Sequence, residues 1–200
     1  MTGAGVLLRS ADTGEALSLD AGRWHADANE EEEAVLDAVE GPVLDIGCGP
    51  GRLVVSLARR GVPVLGVDAS PSAVSLARRR GAAVLERDVF GRLPGEGRWA
   101  TALLFDGNIG IGGDPARLLA RCRELTGGNG RVVAEVEPPG TGVRRLTTWL
   151  ERGGERTSSF PWAVVGADAI GTIARRARLQ LTFLVSTQSG RWFAHLDAAS

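Results

Sequence analysis

Five apolar runs between residues 43 and 137 each carry an acid at or just past their end. Asp45 lies in VLDI, Asp68 follows VLGV, Asp88 follows AAVLE, Asp106 follows TALLF, and Glu135 and Glu137 finish RVVAEVE. Carboxylates repeated in this way suit a ligand rich in hydroxyls, amines or positive charge, because an ionised acceptor makes the stronger hydrogen bonds. The first acid leads into Gly47, Gly49 and Gly51, within GPVLDIGCGPGRLVVSLARRG from Gly41 to Gly61. Glycines at alternate positions let a turn pass close to a ligand without side-chain clash. A dinucleotide loop would have its third glycine one position later, where Arg52 stands, and would carry no acid ahead of a diphosphate. A cationic or zwitterionic ligand fits better.

Several chemistries are excluded by what the chain lacks. All 23 basic residues are arginine, and there is no tyrosine. Schiff-base catalysis, pyridoxal phosphate chemistry, a P-loop lysine and a tyrosine–lysine proton relay are therefore absent, although the bias itself also fits a GC-rich genome of actinobacterial type. Only His25 and His195 supply imidazole, and neither has a partner at metal-ligand spacing, so no metal is expected. Cys48 and Cys122 give no disulfide framework. The net charge of −1 offers no field for nucleic acid or a membrane surface. No apolar run approaches the roughly 20 residues that span a bilayer, and no signal-peptide layout opens the chain. A cytoplasmic protein is expected, a monomer or a homodimer.

The elements that must position the acids are legible from Gly41 onward. Apolar runs at 43–46, 64–67, 82–86, 101–105 and 131–136 alternate with helical patterns. Gly61 and Gly81 stop two of these helices, while Ser70-Pro71 and Asp114-Pro115 start two others with a capping side chain and a proline in the first turn. This alternation means a parallel sheet with helices on both faces, and ligands then lie at the carboxyl ends of the strands. Residues 30–40 form a helix capped by Asn29, whose four glutamates read as solvated charge favoured by the helix dipole. LQLTFLVSTQSGRWFAHL alternates around Ser189-Gly190 and reads as a closing antiparallel hairpin. Residues 138–160 are the least regular and are expected to cover the site.

VLDIGCGPG closely resembles motif I of the class I S-adenosylmethionine-dependent methyltransferases, and the likeness continues through VLGVDAS, VLERDVF, ALLFDGNIGIGG and GGNGRVVAEVE. The resemblance implies an α/β fold, a Rossmann-like doubly wound sheet of seven strands, mostly parallel, with a C-terminal antiparallel hairpin. It implies S-adenosylmethionine as cofactor and S-adenosylhomocysteine as product. Asp68, beside Ala69, takes the place of the acid that grips both ribose hydroxyls. Asp88, beside Val89, takes that of the acid at the adenine amino group. The loop with Asp106 passes the methionine moiety, and Asp45, Gly47, Cys48, Gly49 and Gly51 complete the cofactor set. Arg23 is a candidate partner for the methionine carboxylate.

Methyl transfer from a sulfonium needs mainly proximity, alignment and exclusion of water, so the family has no universal catalytic residue. His25, Asp106 and Asn108 are the candidates here, and Trp162 is a candidate pocket wall. FDGNIG lacks the Asn/Asp-Pro-Pro-aromatic tetrapeptide of amino-modifying nucleic-acid methyltransferases, so a small-molecule acceptor is expected. One domain is expected over 1–200: a lid at 1–40, a cofactor-binding core at 41–137, a substrate-covering segment at 138–165, and a closing helix and hairpin at 166–200. The alternatives are a non-catalytic S-adenosylmethionine-binding module and a nicotinamide-dependent oxidoreductase of the same fold.

Overall fold

The computed structural model describes residues 7–11, 14, 16, 17 and 21–199. The N-terminal part contains β1 (Leu7–Ser10), β2 (Ala16–Leu17), α1 (Ala21–His25) and α2 (Glu30–Asp37). The alternating core follows with β3 (Val43–Ile46), α3 (Arg52–Arg59), β4 (Val64–Asp68), α4 (Pro71–Arg79), β5 (Val84–Glu86), β6 (Thr101–Leu104), α5 (Pro115–Thr126) and β7 (Arg131–Val136). After it come β8 (Val143–Arg152), β9 (Glu155–Arg156), β10 (Phe160–Val165), α6 (Ile170–Arg176), β11 (Leu179–Ser186) and β12 (Trp192–Ala198).

Seven strands form one sheet in the order β11-β12-β7-β6-β3-β4-β5. Strands β3 to β7 run parallel, and β12 enters antiparallel between β7 and β11. Strand order reverses beside β3, and that switch point places the carboxyl ends of β3, β4 and β6 around one crevice. Alternate strand residues face opposite ways, as the pleat requires. Leu44, Ile46, Ala102, Leu104, Val132 and Ala134 pack with residues of α5 and α6. Val43, Leu103, Phe105, Val133 and Phe193 pack instead with Val35 and Leu36 of α2 and Leu53 and Leu57 of α3. Both faces are buried, which is why the strands read as continuous apolar runs. The caps at Asn29, Ser70 and Asp114 form as their text dictates. No described helix is long and apolar enough to cross a membrane.

The expectation of an irregular 138–160 is overturned. Strands β8 and β10 pair antiparallel from Val143↔Val165 to Thr148↔Phe160, and β1 adds to the other side of β8, giving a second, small sheet β10-β8-β1-β2. Arginines and threonines in TGVRRLTTWLER mask the strand pattern, and its partner β1 lies more than a hundred residues away in sequence, with Leu8 opposite Leu150. Gly110 lets this sheet dock, since a Cβ there would stand 2.0 Å from the Ala163 carbonyl oxygen.

Candidate functional site

The glycine loop between β3 and α3 is shaped by the protein at two positions and open at the third. At Gly47 a Cβ would stand 2.6 Å from Asn108 Nδ2, because the Asn108 amide donates to the carbonyls of Ile46 (3.0 Å) and Gly47 (2.8 Å). Gly51 lies against Ala82 and Ala77. Gly49 faces nothing within 4 Å among the described residues. Bare backbone is thus presented at Gly49 alone, and its N–H donates to Asp68 Oδ2 at 2.8 Å. Ser70 N–H donates to the other oxygen, also at 2.8 Å. Burial pushes the Asp68 carboxyl up, against the pull of these two amides. Each oxygen still has lone-pair capacity for a hydroxyl.

Asp45 is the least satisfied group in the crevice. It is 2% exposed, and its Oδ2 is buried without a hydrogen-bond partner among the described residues. Burial pushes its pKa up to about 7; Arg52 opposes this, while Asp106, Asp68 and Glu32 reinforce it. A carboxyl held this way calls for a cation or a donor. On the far side of β4, Asp88 is exposed and accepts from Phe90 N at 2.9 Å, closing a turn that Arg121 braces through the Val89 and Gly91 carbonyls. Ala69 is exposed and Val89 is buried.

A chain of buried ion pairs underlies the other half of the site. Arg52, 4% exposed, forks onto Glu32 (2.7 and 3.2 Å) and onto Asp106 (2.6 and 3.0 Å). Arg191 joins Glu32 (2.9 Å) to both oxygens of Glu135 (2.8 Å each). Arg23 reaches Asp106 and Glu135 at 3.8 and 3.7 Å. Asp106 sits at φ 56°, a strained value for a non-glycine residue, with its N–H donating to Glu135 at 2.7 Å. Its carboxyl is pushed up by burial despite Arg52. Burial also pushes Glu32 up, but the bonds and charge of Arg52 and the charge of Arg191 outweigh it, and the carboxyl lies below its ordinary range. The reading of four solvated glutamates is therefore corrected. Glu32 is fully buried, Glu31 accepts from Ser189, and Glu33 accepts from Ser56.

Between this network and the small sheet lies a cavity of about 700 Å³. Trp24, Trp162, Glu137 and Arg144 line it, together with Arg23, Asp106, Glu135 and Arg191. Its floor is the carboxyl ends of β6 and β7, and its roof combines α1, β10 and the turn before β12. Arg80 fixes the α1–α2 junction by donating to the carbonyls of His25 and Ala26 and to Asp27.

The residues singled out from the sequence separate into distinct places. Asp45, Gly49 and Asp68 gather at the crevice, with Asp88 beyond them. Cys48 turns into the core instead, packing where a Cβ on Gly66 would stand 2.6 Å from its Sγ, and burial pushes its thiol far up. Asn108 braces the loop, Asp106 is clamped by Arg52, and His25 is exposed at the end of α1, outside the cavity lining among the described residues. His195 is buried in β12. The part that Arg52, Glu32 and Arg191 play in the network escaped sequence reasoning. Arg52 carried the one available signal, an arginine opening a helix whose next three residues, Leu53, Val54 and Val55, are apolar.

Residues 43–130 match a family model for a methyltransferase domain. Among solved structures, the chain is similar to an S-adenosylmethionine-dependent methyltransferase from Bacteroides fragilis in complex with S-adenosyl-L-homocysteine. That match has TM-score 0.79 and 15% identity, covering 100% of this chain and 90% of that one. It is similar also to the 1,6-didemethyltoxoflavin-N1-methyltransferase of Burkholderia thailandensis with bound 1,6-didemethyltoxoflavin and S-adenosylhomocysteine, with TM-score 0.66, 21% identity, and 92% and 84% coverage. A glycopeptide N-methyltransferase complexed with S-adenosyl-L-homocysteine matches with TM-score 0.65, 16% identity, and 94% coverage of each chain. At such identities the structural likeness speaks for the fold.

Proposed function

We infer that this chain, a class I S-adenosylmethionine-dependent methyltransferase, seats its cofactor along the ends of β3, β4 and β5 and methylates a small molecule held in the cavity beneath the small sheet. The observation that carries this reading is Asp45. A buried carboxyl oxygen with no partner, beside a loop left bare at Gly49, fits the ammonium end of an amino acid. Asp68 would take the ribose hydroxyls on its remaining lone pairs, and Asp88 would meet the adenine amino group. When bound, S-adenosylmethionine supplies an activated methyl group that leaves a neutral thioether behind, so little acid–base help is required.

What the chain's own residues contribute is placement. Trp24 and Trp162 wall the cavity, and the ion-pair network fixes its floor, so an acceptor can be held for in-line attack. The cavity's size suits a single small ligand, and a net charge of −1 suits a protein without nucleic acid. A cytoplasmic monomer or homodimer completes the reading. Calorimetry tests it: S-adenosylmethionine and S-adenosylhomocysteine should both bind, and Asp68→Ala should weaken each by about thirtyfold through loss of two charge-assisted bonds. Wild-type affinity retained by that variant would sink the ribose assignment.

A further inference from the structure

Three carboxylates of the described residues line the cavity, and two of them are already taken. Both Asp106 oxygens are held by Arg52, and both Glu135 oxygens by Arg191. Glu137 is different. Its side chain makes no hydrogen bond or close ion pair among the described residues. Its backbone, however, is held on both sides: the N–H donates to Val165 O and the carbonyl accepts from Ala167 N, each at 2.8 Å. A rigid base thus presents an unengaged carboxylate to the cavity. Burial pushes that carboxyl up, Glu135 adds to the effect, and Arg144 opposes it.

Glu137 as a residue nonetheless stays exposed, and its carboxylate gains most from a ligand that brings a proton donor together with positive charge. The two indoles in the same lining, Trp24 on α1 and Trp162 on β10, suit such a ligand, since tryptophan is the aromatic that best accommodates a cation. Of the arginines of the cavity, only Arg144 acts on Glu137 by its charge, and it makes no close ion pair with it among the described residues. Arg23 and Arg191 serve Asp106 and Glu135, while Arg144 is exposed on β8. We propose that Glu137 determines the acceptor class by binding an amine in its ammonium form, with the body of that acceptor against Trp24 and Trp162. This rests on the cavity being the acceptor site.

Three probes of matched shape test it: phenethylamine, 2-phenylethanol and 3-phenylpropionate. Each is titrated calorimetrically at pH 7.5 into the full chain, with and without S-adenosylhomocysteine. The wild type should bind the amine about tenfold more tightly than the alcohol, the difference expected for one charge-assisted contact. Glu137→Gln should abolish that preference while keeping wild-type affinity for S-adenosylhomocysteine, and Glu137→Lys should invert it towards the carboxylate. Equal binding of amine and alcohol by the wild type, a preference for 3-phenylpropionate through Arg144, or an amine preference surviving in Glu137→Gln would each overturn the assignment. Amine preference without S-adenosylhomocysteine binding would overturn the methyltransferase reading and leave Glu137 as an amine-binding residue.

Discussion

The two halves of the site are held together by different parts of the chain. On the crevice side, main-chain amides do the holding: Gly47 and Cys48 donate to the Val67 carbonyl, Gly49 and Ser70 to Asp68, and Phe90 to Asp88. On the cavity side, arginine side chains do it. Arg52 and Arg191 tie α2, α3, the Asp106 loop, β7 and the turn before β12 into one network. Main-chain amides are donors that any non-proline residue supplies, so this frame depends on few side chains beyond Asp68 and Asp88. An arginine network is specific to the residues that build it, and it fixes the shape of whichever cavity lies above. On the function proposed above, the cofactor would sit on the first kind of frame and the acceptor on the second, and changes to one should leave the other largely intact.

Breaking the network should have the largest consequence. Arg52→Ala leaves Glu32 and Asp106 buried and without their main counter-charge, and losing one partner of a buried pair costs about 3–5 kcal/mol. Chemical unfolding should show a loss of that size. A loss under about 1 kcal/mol would mean that the network is solvated and does not hold the cavity.

A smaller effect sharpens the comparison from the crevice side. Asp45 titrates near pH 7 in the free protein, raised above its ordinary value by burial. An ammonium placed against it favours the carboxylate, so binding expels the proton and weakens as pH falls through 7. S-adenosylhomocysteine should bind about tenfold more weakly at pH 6 than at pH 8, and Asp45→Asn should remove most of that dependence. Affinity of the wild type that stays flat from pH 6 to 8 would place the ammonium elsewhere. The same shift has a sign for stability. The folded chain holds a proton that the unfolded chain has lost, so this group's contribution declines between about pH 4 and pH 7.

How much of this was readable follows the same division. The crevice could be read because its signals are local: an acid one strand long, glycines at fixed spacing, and a proline or glycine at each helix end. The cavity could not, because it depends on pairings across the whole chain. Strand β8 reads as irregular until β1 and β10 flank it. Glu32 looks like one of four equivalent acids until Arg52 and Arg191 reach it. Asn108 and Cys48, both placed near a ligand by motif position, bend inward because the positions of Gly47 and Gly66 leave room for them.

Hydrogen exchange with and without S-adenosylhomocysteine tests most directly whether the crevice is the cofactor seat and the cavity a separate compartment. Amides at 47–51, 68–70 and 88–90 should slow by about tenfold or more on binding, while those at 143–165 change by less than about twofold. Slowing confined to 143–165, or none at 47–51 and 68–70, would contradict that division.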